Sequence, residues 1–340
     1  NNLYIYSCSK SMDKKTKIWL MRQAGRYLPE YQEIRKKEKD FINLCFNPKL
    51  ACDISLQPIK RFDFDFIILF SDILVIPYAL GQRVKFKEKI GPILGNLNYE
   101  QLKLNLPQSL ERLAPVFETI KLIKQKKQQK DLIGFCGGPF TVLNYMIEQG
   151  TSQTHEKIKK FIKNNNQQAE KIIKIITDVS IEYLKKQVDS GVDIIKVFDS
   201  WAGLLDGDLY KKYIIEPNKE IARELKNYSP QTKQIFFPRG SKENYLSFIK
   251  GVKPDVISLD EDFPEEVLSY AKKNDIILQG NLQPTMLIEG GSKLKKEIKN
   301  ILKKFNENKH IFNLSHGVLP QTPVKNVEIL VDTVRNNNET

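Results

Sequence analysis

The segment Ile18-Trp19-Leu20-Met21-Arg22-Gln23-Ala24-Gly25-Arg26-Tyr27-Leu28-Pro29-Glu30-Tyr31 places two arginines four residues apart. Of the 54 Lys and Arg residues only nine are Arg, at positions 22, 26, 35, 61, 83, 112, 223, 239 and 335. Three of the nine fall between 22 and 35. A chain that otherwise defaults to Lys uses Arg for what Lys lacks, a rigid planar fork that grips a carboxylate or phosphate through two hydrogen bonds. Basic residues at i and i+4 also occur on solvated helix faces. The flanking Trp19, Met21, Ala24 and Gly25 are poor neighbours for such a face. The pair therefore reads as an anion clamp at the mouth of a buried strand.

Further chemistry-bearing residues stand just after short apolar runs. They are Ser71-Asp72, then Gly137-Gly138-Pro139-Phe140-Thr141 with Asn144-Tyr145, then Asp199-Ser200-Trp201, Arg239-Gly240, Asp260, Gly280-Asn281 and Ser315-His316-Gly317. Each has a plainer alternative. Asp72 could cap a following helix, although the apolar Ile73-Leu74-Val75-Ile76-Pro77 resembles a pocket wall more than a helix. Tyr145 could be a core aromatic, Ser200 a cap for residues 206–212, and His316 a structural histidine. Gly137-Gly138 alone is a weak phosphate-loop signal. Three scattered His without His/Cys spacing offer no zinc set, and Ser200 and His316 lack a nucleophile-elbow context. What remains is an Arg-rich, metal-free rim with one carboxylate. Such a rim suits a polyanionic organic substrate that develops positive charge as it reacts.

The elements that must position these residues recur along the chain. Eight apolar runs of four to six residues cover 17–21, 66–70, 132–136, 193–198, 233–237, 255–259, 275–278 and 310–314. They are rich in Ile, Val or Phe and apolar without alternation, the pattern of parallel strands buried on both faces. Helical periodicity fills the gaps over 109–127, 171–188, 208–226 and 324–335, with Ser190-Gly191 as a stop signal. Eight strand–helix alternations in 340 residues predict one (β/α)8 barrel domain over 1–340. A doubly wound open sheet is the alternative, and the lack of GxGxxG after an early strand weighs against it. In a barrel of this kind the C-terminal strand ends carry the chemistry, and the polar groups above collect there.

Composition bounds the partners. Hydrophobic content of 41% supports a large core, and no apolar run approaches the roughly 20 residues of a membrane span, so a soluble chain without a membrane span is expected. A net charge of +13 points to an acidic partner. Lys runs such as 121–130 resemble solvated helix faces, and no aromatics interleave with them, which weighs against nucleic acid. Heavy use of Lys, Ile and Asn also fits an AT-rich genome. Cysteines at 8, 45, 52 and 136 form no CxxC pair and read as reduced thiols of an intracellular protein. The chain starts Asn1-Asn2. A plastid-type organelle is expected if an upstream transit peptide was removed, and the cytoplasm otherwise.

These same segments resemble the uroporphyrinogen decarboxylase family. Residues 19–31 are similar to its first characteristic motif almost residue for residue, and Gly134-Phe135-Cys136-Gly137-Gly138-Pro139-Phe140-Thr141 to its second. Phe70-Ser71-Asp72-Ile73-Leu74-Val75, Phe198-Asp199-Ser200-Trp201-Ala202-Gly203, Leu278-Gln279-Gly280-Asn281-Leu282 and Ser315-His316-Gly317 resemble further family segments in order. The resemblance runs from about residue 16 to 335. It implies a (β/α)8 barrel, usually a homodimer, that needs no cofactor or metal. It also implies loss of CO2 from the four acetates of uroporphyrinogen III, giving coproporphyrinogen III in tetrapyrrole synthesis.

By motif the resemblance assigns Arg22, Ala24 (through its backbone), Arg26, Arg35, Asp72, Phe140, Tyr145, Ser200 and His316 to substrate binding. It assigns Asp72, Arg22, Arg26, Tyr145 and His316 to catalysis. Asp72 is expected to accept pyrrole N–H bonds and stabilise a cationic pyrrole. Three positions depart from the usual pattern: Gln283 where Asp is common, Glu261 where an aromatic often follows Leu-Asp, and Trp201 where some members have His. The alternatives are a methyltransferase relative that uses zinc or a corrinoid, or a non-catalytic basic protein binding acidic ligands or RNA. His316 has no Cys within the next several residues, which argues against the zinc branch. The position of the Lys residues separates the enzyme from the basic binding protein.

Overall fold

The computed structural model describes residues 15–88 and 90–336. Ten strands occur among them: β1 (Lys17–Ile18), β2 (Phe66–Ile68), β3 (Val84–Lys87), β4 (Gly91–Leu94), β5 (Asp131–Gly137), β6 (Ile194–Asp199), β7 (Lys233–Pro238), β8 (Val256–Ser258), β9 (Ile277–Leu282) and β10 (His310–Leu314). Eight form one sheet in the order β1-β10-β9-β8-β7-β6-β5-β2. Every ladder in it is parallel. The end strands β1 and β2 meet through side chains as well as backbone. The Asp65 N–H donates to the Ile18 carbonyl at 2.9 Å, and the Ile18 N–H donates to the Asp65 carboxylate at 2.6 Å. Gln23 Nε2 donates to the Phe66 carbonyl at 3.0 Å. The sheet is thus a nearly closed (β/α)8 barrel, as the alternation of apolar runs predicts.

The buried runs are strands because helices cover them outside and side chains fill them within, so both faces need apolar residues. One residue breaks that rule. Lys196 on β6 is wholly buried. Its ammonium donates to Ser258 Oγ at 2.7 Å and lies 4.9–5.4 Å from the ring centres of Trp19, Phe198 and Phe237. Ser258 Oγ also accepts from Gln279 Nε2 at 2.6 Å, and Gln279 Oε1 accepts from Trp19 Nε1 at 3.0 Å. Burial holds the Lys196 amine well below the usual lysine range. The barrel interior is therefore tied across β1, β6, β8 and β9 by a polar chain roofed with aromatic rings.

Prolines divide two of the expected helices. The stretch 109–127 forms Ser109–Arg112 and Ala114–Lys126, with Pro115 near the start of the second helix. The stretch 208–226 becomes Gly207–Tyr210, a π-helical turn Lys211–Ile215 and Glu216–Tyr228. Pro217 has no N–H for the regular ladder, and the widened turn accommodates it. The long helix Asn166–Ser190 ends at Gly191, where φ is +114°.

One expectation is corrected. The residues after Asp72 do form a helical turn, Val75–Ala79, because Pro77 and its apolar neighbours bury into the core as one short helix. Within this stretch Pro77, Ala79 and the following Leu80 are buried, and Tyr78 is open at 38%. The hairpin β3–β4 was not anticipated. It is antiparallel, lies between β2 and β5 in the chain, and leaves Ile90 and Ile93 exposed.

Candidate active site

The arginine pair sits where β1 leaves the barrel. The exit is built around Gln23, which is wholly buried. Its Oε1 accepts from the Leu20 N–H at 3.1 Å, its Nε2 reaches Phe66, and its carbonyl accepts the Tyr27 hydroxyl at 2.7 Å. The Met21 N–H donates to Asn313 Oδ1 at 2.9 Å on β10. This scaffold turns Arg22 outward with φ +61°. A non-glycine residue there costs about 1–2 kcal/mol, a strain that functional sites retain when the surroundings enforce it. The Arg22 stem passes over Gly317; a Cβ at 317 would stand 2.4 Å from Arg22 Cδ. Glycine after His316 is thus what lets Arg22 lie across the end of β10. Arg26 is exposed one turn on, and Ala24 is half-buried. The Ala24 N–H forms no hydrogen bond within the described chain.

Asp72 follows β2 and is half-buried. Its Oδ1 accepts the Leu74 N–H at 2.8 Å, so the capping contact is real. The second oxygen makes no hydrogen bond among the described residues. Burial pushes the carboxyl up to about 6, against the Leu74 bond and the nearby Arg22 charge. Arg35 lies on the same side. It donates to the Glu38 carbonyl at 2.9 Å and stacks on Phe41, whose ring meets Phe70 edge-on at 5.7 Å. Phe70 ends the segment that carries Ser71 and Asp72.

The ends of β5 and β6 are locked together by Asp199. Its carboxylate accepts from Thr141 Oγ1 at 2.6 Å and from Asn218 Nδ2 at 2.8 Å. Thr141 Oγ1 in turn accepts the Trp201 N–H at 3.0 Å. Gly138 leaves the room this needs, since a Cβ there would stand 2.3 Å from Asp199 Cγ. Burial raises Asp199 to about 6. Ser200, held between Asp199 and Trp201, is half-buried and caps no helix: residues 207–210 form their own turn after Asp206. Tyr145 is half-buried, 6.4 Å from Trp201 ring to ring. Burial and the Asp72 charge raise its hydroxyl, opposed by Trp201, Arg22 and Arg239. Phe140 is wholly buried at the start of the helix Pro139–Glu148.

His316 follows β10 and is half-buried. Burial, Arg22 and Arg239 lower its pKa to about 3, so it is a neutral imidazole at neutral pH. The Ser315 hydroxyl before it donates to Glu261 at 2.6 Å. The departure at 261 therefore replaces an aromatic contact with a hydrogen bond that tethers the β10 exit. Gln283 precedes the helix Pro284–Glu289 and makes no side-chain cap.

Arg22 thus lies within electrostatic reach of Asp72, Tyr145 and His316, and Asp72 within reach of Tyr145. The motif assignments leave out Arg239 and the Asp199–Thr141–Asn218 cluster, although Arg239, Asp199 and Thr141 stand among the polar groups read at strand ends. Arg239 was visible as one of nine arginines at the end of a predicted strand. Asn218 gave no signal, because its role depends on a helix that packs back on β6.

Charge is segregated. Lysines pair one turn away with acids on exposed helix faces, as in Lys121–Glu118, Lys159–Glu156 and Lys219–Glu216. Arg61, Arg223 and Arg335 have carboxylate partners. Among the described residues the guanidinium groups of Arg22, Arg26 and Arg239 have none. Such a distribution favours a basic pocket over a basic outer surface. No three of His, Cys, Asp and Glu among the described residues could jointly hold a metal ion. Cys45, Cys52 and Cys136 are free and buried, while Cys8 lies outside the described residues. No helix among the described residues is long and apolar enough to cross a membrane.

The fold defines a (β/α)8-barrel protein, and among the described residues Arg22, Arg26 and Arg239 stand at its strand ends without carboxylate partners. The chain belongs to the uroporphyrinogen decarboxylase family: a family model of that description, uroporphyrinogen decarboxylase (URO-D), matches residues 1–337. It is 43% identical over 333 residues to a uroporphyrinogen decarboxylase of Rickettsia bellii, covering 97% of this chain and 98% of that one. It is 39% identical over 320 residues to the uroporphyrinogen decarboxylase of Brucella anthropi, covering 94% of each. Among solved structures, a methyltransferase from Methanosarcina mazei shares the fold, with a TM-score of 0.70 at 19% identity over 95% of this chain and 94% of that one. These relatives in sequence are bacterial, and the plastid expectation gains no support from them.

Proposed function

We infer that this protein is a uroporphyrinogen decarboxylase, a carboxy-lyase that converts the four acetate side chains of uroporphyrinogen to methyls and yields coproporphyrinogen in tetrapyrrole synthesis. The observation that carries the site reading is Asp72, a half-buried carboxylate coupled to Arg22 and Tyr145 at a mouth whose arginines lack acidic partners. The chemistry fits those groups. Protonation of the ring carbon next to the one that bears an acetate makes the pyrrole cationic, with the charge shared by the acetate-bearing carbon. The bond to CO2 then breaks, and its electron pair flows into the ring. A second proton on the exocyclic carbon gives the methyl, and loss of the first proton restores the pyrrole. Asp72 accepts the pyrrole N–H groups and offsets the cation. Arg22 and Arg26 hold carboxylates, the Ala24 N–H adds a donor, and Arg35 and Ser200 complete the wall. Tyr145 and neutral His316 supply uncharged hydrogen-bonding groups that keep Asp72 the negative centre. A proton passes from an arginine-bound water.

The reading is tested by incubating chelated, dialysed protein with uroporphyrinogen III and separating the products by chromatography. Stepwise formation of the seven-, six-, five- and four-carboxylate porphyrinogens is expected. No product, or product only after added metal, would turn the assignment toward the methyltransferase relatives.

pH dependence follows from Asp72. The carboxylate works only when ionised, and burial raises its pKa to about 6. Activity should therefore fall as pH drops through about 6, with kcat/KM reporting the free enzyme. Asp199 also titrates near 6, so Asp199→Asn is the control: the acid limb should persist in it. An acid limb that vanishes in Asp199→Asn and survives in the residual activity of Asp72→Asn would assign the titration to Asp199 instead.

A homodimer with neighbouring site mouths is proposed from the family resemblance. The exposed Tyr78, Ile90 and Ile93 are the candidate apolar contacts. Light scattering at micromolar concentration should give twice 39.4 kDa. A mass of one chain would end this part of the proposal.

A further inference from the structure

Arg239 ends β7, directly after Pro238. Counting around the sheet, β7 is the fourth strand from β1 by way of β10, β9 and β8. Across the nearly closed seam it is again the fourth, by way of β2, β5 and β6. The two strand ends therefore face each other across the barrel. Arg22 leaves one and Arg239 the other. Both act on the same groups between them: each lowers His316, on the strand next to β1, and each opposes the raised Tyr145 hydroxyl. The space between the two arginines is thus one shared mouth.

The backbone of Arg239 is held from both sides. Its N–H donates to the Asp199 carbonyl at 3.1 Å, and its carbonyl accepts the Gly203 N–H at 3.0 Å. Gly203 admits this contact because a Cβ there would stand 2.1 Å from the Gly240 carbonyl. The next residue is pinned as well, since the Gly240 N–H donates to the buried Asp260 carboxylate. The side chain itself is half-buried, and among the described residues its guanidinium has no ion pair or hydrogen bond. An anchored backbone that presents a partly desolvated, unpartnered guanidinium is a prepared anion site.

We propose that Arg239 is a substrate-binding residue that grips a carboxylate of the macrocycle on the wall opposite Arg22, so that the ring is held across its diameter. This rests on the decarboxylase reading and adds a specificity role to it. Each turnover removes an acetate, so handles on acetates are lost as the reaction proceeds, whereas propionates persist through all four steps. A grip from two opposite walls retains partly decarboxylated intermediates when handles on one side are gone. Arg239 is a recognition group in this scheme and touches no bond that breaks.

The test compares Arg239→Gln and Arg239→Lys with the unsubstituted protein. Binding of uroporphyrin, the oxidised octacarboxylate, is followed by fluorescence, and decarboxylation by KM, kcat and the ladder of intermediates. Loss of a charge-assisted two-pronged contact should weaken uroporphyrin binding and raise KM on the order of tenfold to a hundredfold in Arg239→Gln. Arg239→Lys should recover part of this, kcat for the first acetate should stay within a few-fold, and six- and five-carboxylate intermediates should accumulate. Matching circular dichroism would confirm folding, and if the Gln variant is unstable the Lys variant carries the comparison. Unchanged binding, KM and intermediate ladder in folded variants would overturn the role of Arg239. Absence of turnover in the unsubstituted protein would instead overturn the decarboxylase reading, and uroporphyrin binding would still decide the Arg239 contact.

Discussion

Asp72→Asn should bind substrate nearly as well as the unsubstituted protein and lose almost all turnover, with kcat down on the order of 10²–10³. The amide keeps the shape and still accepts the Leu74 N–H at 2.8 Å, so the turn into Val75–Ala79 survives. What it loses is the charge. That charge matters mainly once the pyrrole has become cationic, so its removal acts on the transition state more than on the ground state, and kcat falls with kcat/KM. Half-burial makes the effect large, because the same desolvation that raises the carboxyl to about 6 also strengthens its field on a cation beside it. The acid limb of the pH profile should disappear in this variant. Steady-state kinetics decide the matter: near-normal kcat in Asp72→Asn would remove Asp72 from the centre of the mechanism.

Arg22→Lys and Arg26→Lys should show that neither position is a simple point charge. Lysine keeps the positive charge and loses the planar fork. Loss of one charge-assisted, two-pronged contact predicts KM higher on the order of tenfold to a hundredfold. Partly decarboxylated intermediates should be released, because successive acetates are presented less well. Arg22 should be the more sensitive. It is held at φ +61° by the Met21–Asn313 bond and lies over Gly317, so its orientation is built in. It also sits close enough to Asp72 and His316 to shift both. Arg26, exposed like Arg22, has neither the positive φ nor the glycine contact that orients Arg22. Chromatographic product profiles identical to the unsubstituted protein in both variants would reduce the pair to surface charge.

Much of the barrel could be read from the chain because strands covered on both faces are unbroken apolar runs. All eight expected runs begin within two residues of an observed barrel strand, and the site residues were recognisable as the polar groups that follow. The errors have local causes. The first strand stops at Ile18 and not at Met21 because the next N–H groups turn to side chains: Leu20 to Gln23 and Met21 to Asn313. The ninth strand runs on through Gln279 and Asn281 to Leu282, since Gln279 is polar yet satisfied inside the barrel by Trp19 and Ser258. The same interior network hides Lys196, which a rule of apolar strand interiors cannot foresee.

What the sequence by itself determined is local: where strands and helices fall, which residue types end each strand, and the motifs that mark the family. Those follow from periodicities of a few residues and from neighbours in the chain. Tertiary structure alone decided which of those ends share a wall and which face each other. Strand order in a closed sheet is set by pairing between distant segments, so that Arg22 and Arg239, more than two hundred positions apart, come to bracket one mouth. It also decided the charge state of the site. Asp72 near 6 and His316 near 3 are products of burial and of arginines supplied by other strands, and desolvation exists only once the chain has closed around them.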